Sequence, residues 1–117
     1  SIQALTNLGV IYFDQGNFVE AENQFKKGLQ ENASDPFVNY NLARTWAKMN
    51  RHKEALGIYE KLLQTTRNNP ELMVDAAISY SAAGQKDKAQ ALLNDAARFT
   101  KDEKLKQQIS DELQKLK

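Results

Sequence analysis

Apolar residues in the first third of the chain recur with helical spacing, in two bouts. Leu5, Leu8, Tyr12 and Phe13 mark one face of a 3.6-residue period, Gly16-Asn17 interrupts it, and Phe18, Ala21, Phe25 and Leu29 open a second face. The pattern predicts a helical hairpin. It then returns: Asn7, Leu8, Glu20, Ala21, Lys27, Leu29 and Pro36 reappear 34 positions later as Asn41, Leu42, Glu54, Ala55, Lys61, Leu63 and Pro70. A weaker third copy keeps the character of the defining positions. Gly9, Ala43 and Ala77 are small, Tyr12, Trp46 and Tyr80 are aromatic, Ala21, Ala55 and Ala89 are identical, and Phe25, Tyr59 and Leu93 are large and apolar. Helical periodicity alone does not fix a small residue, an aromatic and an alanine in one order three times over.

Punctuation between the copies supports the same division. Asp35-Pro36 and Asn69-Pro70 each place a capping side chain before a proline, whose missing N–H costs nothing in a first helical turn. After the third copy, Thr100 and Glu103 have capping-box spacing, and Leu105, Ile109, Leu113 and Leu116 stripe one side of a final helix. Asp102 with Lys106 and Asp111 with Lys115 are four apart on its wet side. The expectation is an all-α fold of seven helices, with repeats over about 2–35, 36–69 and 70–101 and a capping helix over about 102–117. Small residues on both helices of each hairpin permit close approach, and because one hairpin cannot bury its apolar faces, neighbouring copies must complete the core.

Charge and composition narrow the function. Sixteen Lys and Arg face 15 Asp and Glu, a net charge of +1 that generates no field suited to nucleic acid or to an anionic membrane. The longest apolar run, Leu8 to Phe13, contains Gly9, so no direct membrane insertion is expected. The chain lacks cysteine, which excludes disulfides, thiolate metal sites and thiol nucleophiles. His52, the one histidine, is placed at the exposed start of a helix with no second His or Cys to share a metal. The five glycines are isolated and form no phosphate-cradling loop, and the neighbouring acids Asp102-Glu103 and Asp111-Glu112 point different ways. Asn32-Ala33-Ser34 is a glycosylation sequon, relevant only in a eukaryotic secretory route. The residues therefore offer no catalytic, metal or cofactor site, and the reading is a soluble non-enzyme, cytoplasmic or periplasmic.

Charge is also uneven along the chain. Residues 1–35 carry two lysines against five acids, a net of −3, and residues 36–69 carry six basic residues against two acids, a net of +4. Arg44, Lys48, Arg51, His52 and Lys53 cluster around one hairpin turn, either receiving an acidic segment or simply solvating that turn, the second being the commoner outcome.

Leu8-Gly9, Tyr12, Ala21 and Phe25 in the first copy resemble the tetratricopeptide repeat, as do Leu42-Ala43, Trp46, Ala55 and Tyr59 in the second and Ala76-Ala77, Tyr80, Ala89 and Leu93 in the third. Pro36 and Pro70 sit about three positions later than that family places its own. The resemblance implies a right-handed superhelical α-solenoid, a single domain over 1–117, whose first helices line a concave groove for a peptide or helix of another protein. By the family's frame the groove positions are Gln3, Thr6, Asn7, Val10, Phe13 and Asp14, then Phe37, Tyr40, Asn41, Arg44 and Lys48, then Glu71, Val74, Asp75, Ile78 and Ser81. Asn7, Val10, Phe13, Tyr40, Asn41, Arg44, Lys48, Asp75 and Ile78 carry the expected partner contacts, with the paired amides of Asn7 and Asn41 able to hold a peptide backbone. Members that grip acidic C-termini of heat-shock chaperones use Lys, Asn, Asn, Lys and Arg where this chain has Thr6, Val10, Asn41, Glu71 and Asp75, so only Asn41 fits. The implied function is an adaptor or scaffold. The alternatives are a structural unit that self-associates end to end through an uncapped N-terminal edge, and the targeting arm of a larger protein.

Overall fold

A computed structural model describes all 117 residues and contains seven α-helices: α1 (Ile2–Asp14), α2 (Phe18–Glu31), α3 (Pro36–Lys48), α4 (His52–Thr65), α5 (Pro70–Ala82), α6 (Lys86–Phe99) and α7 (Glu103–Lys115). The helix starts are written in side chains. Asp35 accepts hydrogen bonds from the Phe37 and Val38 amides, and Asn69 accepts one from Leu72, each ahead of a proline in the first turn.

The turn inside each copy is also encoded. Gly16, Asn50 and Gly84 stand 34 apart and all take positive φ, at 79°, 62° and 82°. Glycine reaches that conformation without strain, and asparagine is among the few others that tolerate it, which explains an Asn where the flanking copies have Gly. One residue further on, the Asn17, Arg51 and Gln85 amides donate to the carbonyls of Tyr12, Trp46 and Tyr80, each at 2.8 Å. Each turn thus satisfies a carbonyl that the helix end leaves without a partner.

The last helix departs from the expected cap. Asp102, not Thr100, is its N-cap, accepting from the Lys104 and Leu105 amides, while Thr100 closes α6 and accepts from the Asp102 amide at 3.1 Å. With Asp102 occupied as a cap and Asp111 accepting from Gln107, Lys106 and Lys115 pair three residues back with Glu103 and Glu112 rather than four back. The apolar stripe is as predicted, with Ile109 buried and Leu105, Leu113 and Leu116 half-buried.

The chain divides into two compact units, Ser1–Ile58 and Tyr59–Lys117, with the boundary inside α4. In the first, α1 and α3 both pack on α2, and the core is Ala21, Phe25, Val38 and Leu42, against which Ile2, Val10, Tyr12, Phe13, Leu29, Trp46 and Ile58 close. In the second, α5 and α7 pack on α6, and Leu72, Val74, Ala77, Tyr80, Leu93, Ala96 and Ile109 are buried. The small positions do what their size predicts: Ala21, Ala43, Ala55, Ala77 and Ala89 are all at most 1% exposed. A methyl on Gly9 would lie 2.4 Å from the ring of Phe25, so α1 and α2 meet at a contact that only glycine permits. Leu8 breaks the pattern. Expected on the buried face, it is 39% exposed, because α2 and α3 pack on α1 without covering it.

Candidate partner-binding site

Seven of the nine expected contact residues lie in the first unit, on α1 and α3. Three of them meet. The Arg44 guanidinium lies 4.7 Å from the centre of the Phe13 ring and 5.6 Å from that of Tyr40. Phe13 in turn packs edge-on to Phe18 at 5.3 Å across the α1–α2 turn. A half-buried guanidinium resting on two rings loses rotamer freedom in advance of binding and presents a planar donor fork beside apolar surface. Sequence spacing leaves Phe13 either in the core or in a pocket. It serves both, since it packs against the core cluster and carries Arg44 on its ring.

The other positions differ in accessibility. Val10 is half-buried and packs on the core cluster, whereas Asn7 and Lys48 are exposed. Asn41 is 6% exposed and its amide nitrogen donates to the Phe37 carbonyl at 3.0 Å, so part of its hydrogen-bonding capacity is committed to its own helix. The two repeat-mates, Asn7 in the open and Asn41 enclosed, therefore sit in different environments. Thr6 and Val74, which the family frame turns toward the groove, are buried, and Thr6 donates its hydroxyl to the Ile2 carbonyl. Phe37, by contrast, is 64% exposed at the start of α3. In the second unit, Asp75 and Ile78 lie half-buried on α5.

One member of the basic cluster, Arg51, is committed within the fold. Arg51 makes two parallel hydrogen bonds to Glu54, at 2.7 and 2.8 Å, and a third to Glu22 Oε2 at 2.7 Å, with its guanidinium 5.2 Å over the Trp46 ring. Glu22 Oε2 also accepts from Trp46 Nε1 at 2.6 Å and lies 3.4 Å from Lys26. Burial works against the Glu22 charge, but the hydrogen bonds from Trp46, Arg51 and Lys26 outweigh it and hold the carboxyl below the usual carboxylate range. Glu54 and Glu22 hold Arg51 charged well above its ordinary value. His52 is half-buried rather than exposed. Sequence reasoning missed this network. Its one signal is an acid directly after Ala21, where the other copies have Leu56 and Gln90 after the matching alanine.

Two family models match. One, described as tetratricopeptide repeat, covers residues 2–35, and a second of the same description covers residues 47–109, over half of the chain. The chain belongs to the tetratricopeptide repeat family. No curated protein sequence matches it. Among solved structures, the Yersinia enterocolitica type III secretion chaperone SycD in complex with a peptide of the translocator YopD aligns with a TM-score of 0.85 at 17% identity, over 97% of this chain and 90% of that one. The first tetratricopeptide repeat domain of Spaghetti (RPAP3) bound to an HSP90 peptide aligns at 0.83 and 16% identity, over 98% and 92%. A thermophilic tetratricopeptide repeat protein of Thermus thermophilus, TTC0263, is 27% identical over 86% of this chain and 57% of its own, with a TM-score of 0.78.

Within the tetratricopeptide frame the aromatic position of the first helix has a second duty. Trp46 on α3 donates to Glu22 on α2, and Tyr80 on α5 donates to Glu60 on α4 at 2.6 Å. Each aromatic is tied by a carboxylate to the helix that precedes it, so the repeat-to-repeat junction carries a charge-assisted hydrogen bond as well as apolar packing. Burial and Glu60 push the Tyr80 hydroxyl up to about 12.

Proposed function

We propose that this tetratricopeptide repeat protein is a non-enzymatic adaptor whose first-helix face, centred on Phe13, Tyr40 and Arg44, takes an extended peptide or a helix of another protein. The observation that carries the reading is the Arg44 guanidinium resting on both rings. Arg stacked on aromatics is the composition enriched where interfaces concentrate their binding energy. The middle repeat's net of +4, six basic residues against two acids, favours a segment with a carboxylate for Arg44 and apolar side chains for the ring edges. On the same two helices, Asn7 and Lys48 offer exposed polar contacts and Val10 and Asn41 more enclosed ones. No metal or cofactor takes part.

A chaperone-type acidic C-terminus does not fit this face. By the family's frame the positions that would hold it are Thr6, Val10, Asn41, Glu71 and Asp75, of which only Asn41 matches and two have the wrong charge.

Selection of a displayed random-peptide library on the wild type and on Arg44→Glu tests the reading. Enriched peptides should contain an acid within a few residues of an apolar side chain, and should weaken at least about tenfold toward Arg44→Glu, a change of about 1.4 kcal/mol. Peptides that bind both proteins equally, while the variant keeps its helical content, would remove the platform from the account. A second reading, self-association through the first helix, rests on the exposure of Leu8 and Ile11.

A further inference from the structure

The open side of α3 differs from that of the first helix in either flanking repeat. Phe37, Tyr40, Arg44 and Lys48 follow one another at spacings of three, four and four, so at 3.6 residues per turn they share an arc of about 80° and a strip about 16 Å long. Phe37 and Lys48 are exposed at its ends, and Tyr40 and Arg44 are half-buried between them. The matching residues are Gln3, Thr6, Val10 and Asp14 on α1 and Glu71, Val74, Ile78 and Ala82 on α5. Neither set holds an aromatic or a cation. Phe37 stands out further: it is 64% exposed where both repeat-mates are polar, lies outside the core cluster, and is one turn from Tyr40.

The distinctive chemistry therefore runs along the axis of α3 and not across to α1. An extended segment crossing from α1 to α3 meets it at one level. A helix laid along α3 meets all four side chains, which have the spacing of anchors in helix-in-groove recognition. Charge then specifies that helix. Within α3 the charged residues are Arg44 and Lys48, both cationic, and neither makes a salt bridge within the chain, in contrast to Arg51. Two carboxylates four residues apart on one helix match them. Asp14, the one charge on α1 and the repeat-mate of Lys48, keeps those carboxylates over α3 by repulsion. Polarity fixes the direction. Lys48 lies in the last turn of α3, with Arg44 a turn earlier, so an antiparallel partner brings its N-terminal turns to them, where its own macrodipole favours acids; a parallel partner would need them at its C-terminal end.

We propose that the α3 strip of Phe37, Tyr40, Arg44 and Lys48 docks an amphipathic helix of a partner protein, antiparallel to α3, acidic toward its N-terminus and apolar toward its C-terminus. Numbering the partner from the residue j that faces Lys48, positions j and j+4 are acids and positions j+8 and j+11, facing Tyr40 and Phe37, are large and apolar. The inference rests on the Arg44 platform and narrows its two shapes of segment to one.

Peptides of about 18 residues, selected from a displayed random library for binding that Arg44→Glu weakens, test it. They should carry acids before apolar residues at this spacing, gain helical circular dichroism on binding, and lose binding when proline replaces j+6. Phe37→Gln, which installs the residue of its repeat-mate Gln3, should weaken them at least about tenfold. Lys48→Glu should weaken them at least about threefold, and lysine at j should restore what is lost. Both substitutions fall at exposed positions, so the circular dichroism of the protein stays unchanged. Arg44-dependent peptides that tolerate the proline, or that bind Phe37→Gln as well as the wild type, overturn the docked helix and leave the platform standing. The absence of any Arg44-dependent peptide overturns both.

Discussion

Three helix-interior glycines meet three different environments, which makes them a graded test of the packing. A methyl added at Gly9 would stand 2.4 Å from Phe25 Cε1 and 2.8 Å from Cδ1 and Cζ, and Phe25 is fully buried, so the ring has nowhere to retreat. At Gly28 the methyl meets Val38 at 3.4 and 3.7 Å, which is ordinary contact, and at Gly57 it meets nothing within 4 Å. Replacing a helical glycine by alanine gains about 0.8–1 kcal/mol of intrinsic propensity. Overpacking a rigid core costs about 1–3 kcal/mol, and a clash with three atoms of an enclosed ring belongs in the upper part of that range. Gly57→Ala should therefore stabilise by close to the full propensity gain, Gly28→Ala by a similar amount or slightly less, and Gly9→Ala should destabilise by about 1–2 kcal/mol. Gly9→Ala and Gly57→Ala would then differ by about 2–3 kcal/mol, a separation on the order of 10 °C in melting temperature for a chain of this size. Urea unfolding followed by circular dichroism measures this, provided the slope is unchanged among variants. The third repeat supplies an internal control, since it carries Ala77 and Leu93 where the first has Gly9 and Phe25. The double variant Gly9→Ala, Phe25→Leu should thus recover most of what Gly9→Ala loses relative to the Phe25→Leu background. If Gly9→Ala stabilises as Gly57→Ala does, the α1–α2 spacing is not set at this contact and the account of the small positions is wrong.

The remaining expectations concern the polar junctions and the ligand. Glu22→Gln removes the charge that Trp46 and Arg51 share and should cost about 1–3 kcal/mol in urea unfolding, whereas Glu54→Gln, exposed and reached only by Arg51, should fall within the scatter of surface changes. Because the folded-state pKa of Glu22 is depressed, its contribution is fully present above the ordinary carboxylate range and is lost as pH falls through the folded value; the acid limb of melting temperature against pH should flatten in Glu22→Gln. Tyr80 has the opposite sign: its folded pKa is raised to about 12, so its contribution holds below the ordinary tyrosine value of 10.0 and is lost as pH rises from there through 12. Absorbance titration at alkaline pH should lose a late-titrating phenol in Tyr80→Phe. A peptide of acidic residues alone, which offers the rings of Phe13 and Tyr40 nothing apolar, should show no heat of binding by calorimetry, and a saturable isotherm would mean that charge alone suffices at Arg44.

Much of the architecture is legible because it is written in steric positions. Helix count, helix starts at Asp35-Pro36 and Asn69-Pro70, and the buried alanines each follow from one residue type having few alternatives at that place. Asn50 does not announce itself as the counterpart of Gly16 and Gly84, since the requirement is a backbone angle and asparagine satisfies it less conspicuously than glycine. The site is less legible. The resemblance to the repeat family implies one face for Phe13, Tyr40 and Arg44, and the structure stacks them. Spacing could not show that Arg51 is consumed by Glu22 and Glu54, because those partners lie on the neighbouring helix and in the next turn. A charge run reads the same in sequence whether it is free or paired.

Leu8 and Leu42 show that place in the repeat does not by itself fix burial. They are the same residue at the same repeat position, one 39% exposed and the other 2%. Periodicity encodes the face a helix turns toward its neighbour, but whether that neighbour is present is a property of the whole assembly and not of the position. An internal repeat buries that face by folding, so its residues are selected for packing. A helix left facing water with the same residues would expose them at about 25 cal/mol per Å² of apolar area, and solubility would favour their replacement by polar ones. Here the replacement has not occurred: Leu8 is unchanged from its internal equivalent, and Ile11 is more apolar than Thr45 or Ser79, which are buried in its place. The outward face of α1 thus keeps the apolar character of its internal equivalents, most of all at Ile11, the more exposed of the two residues.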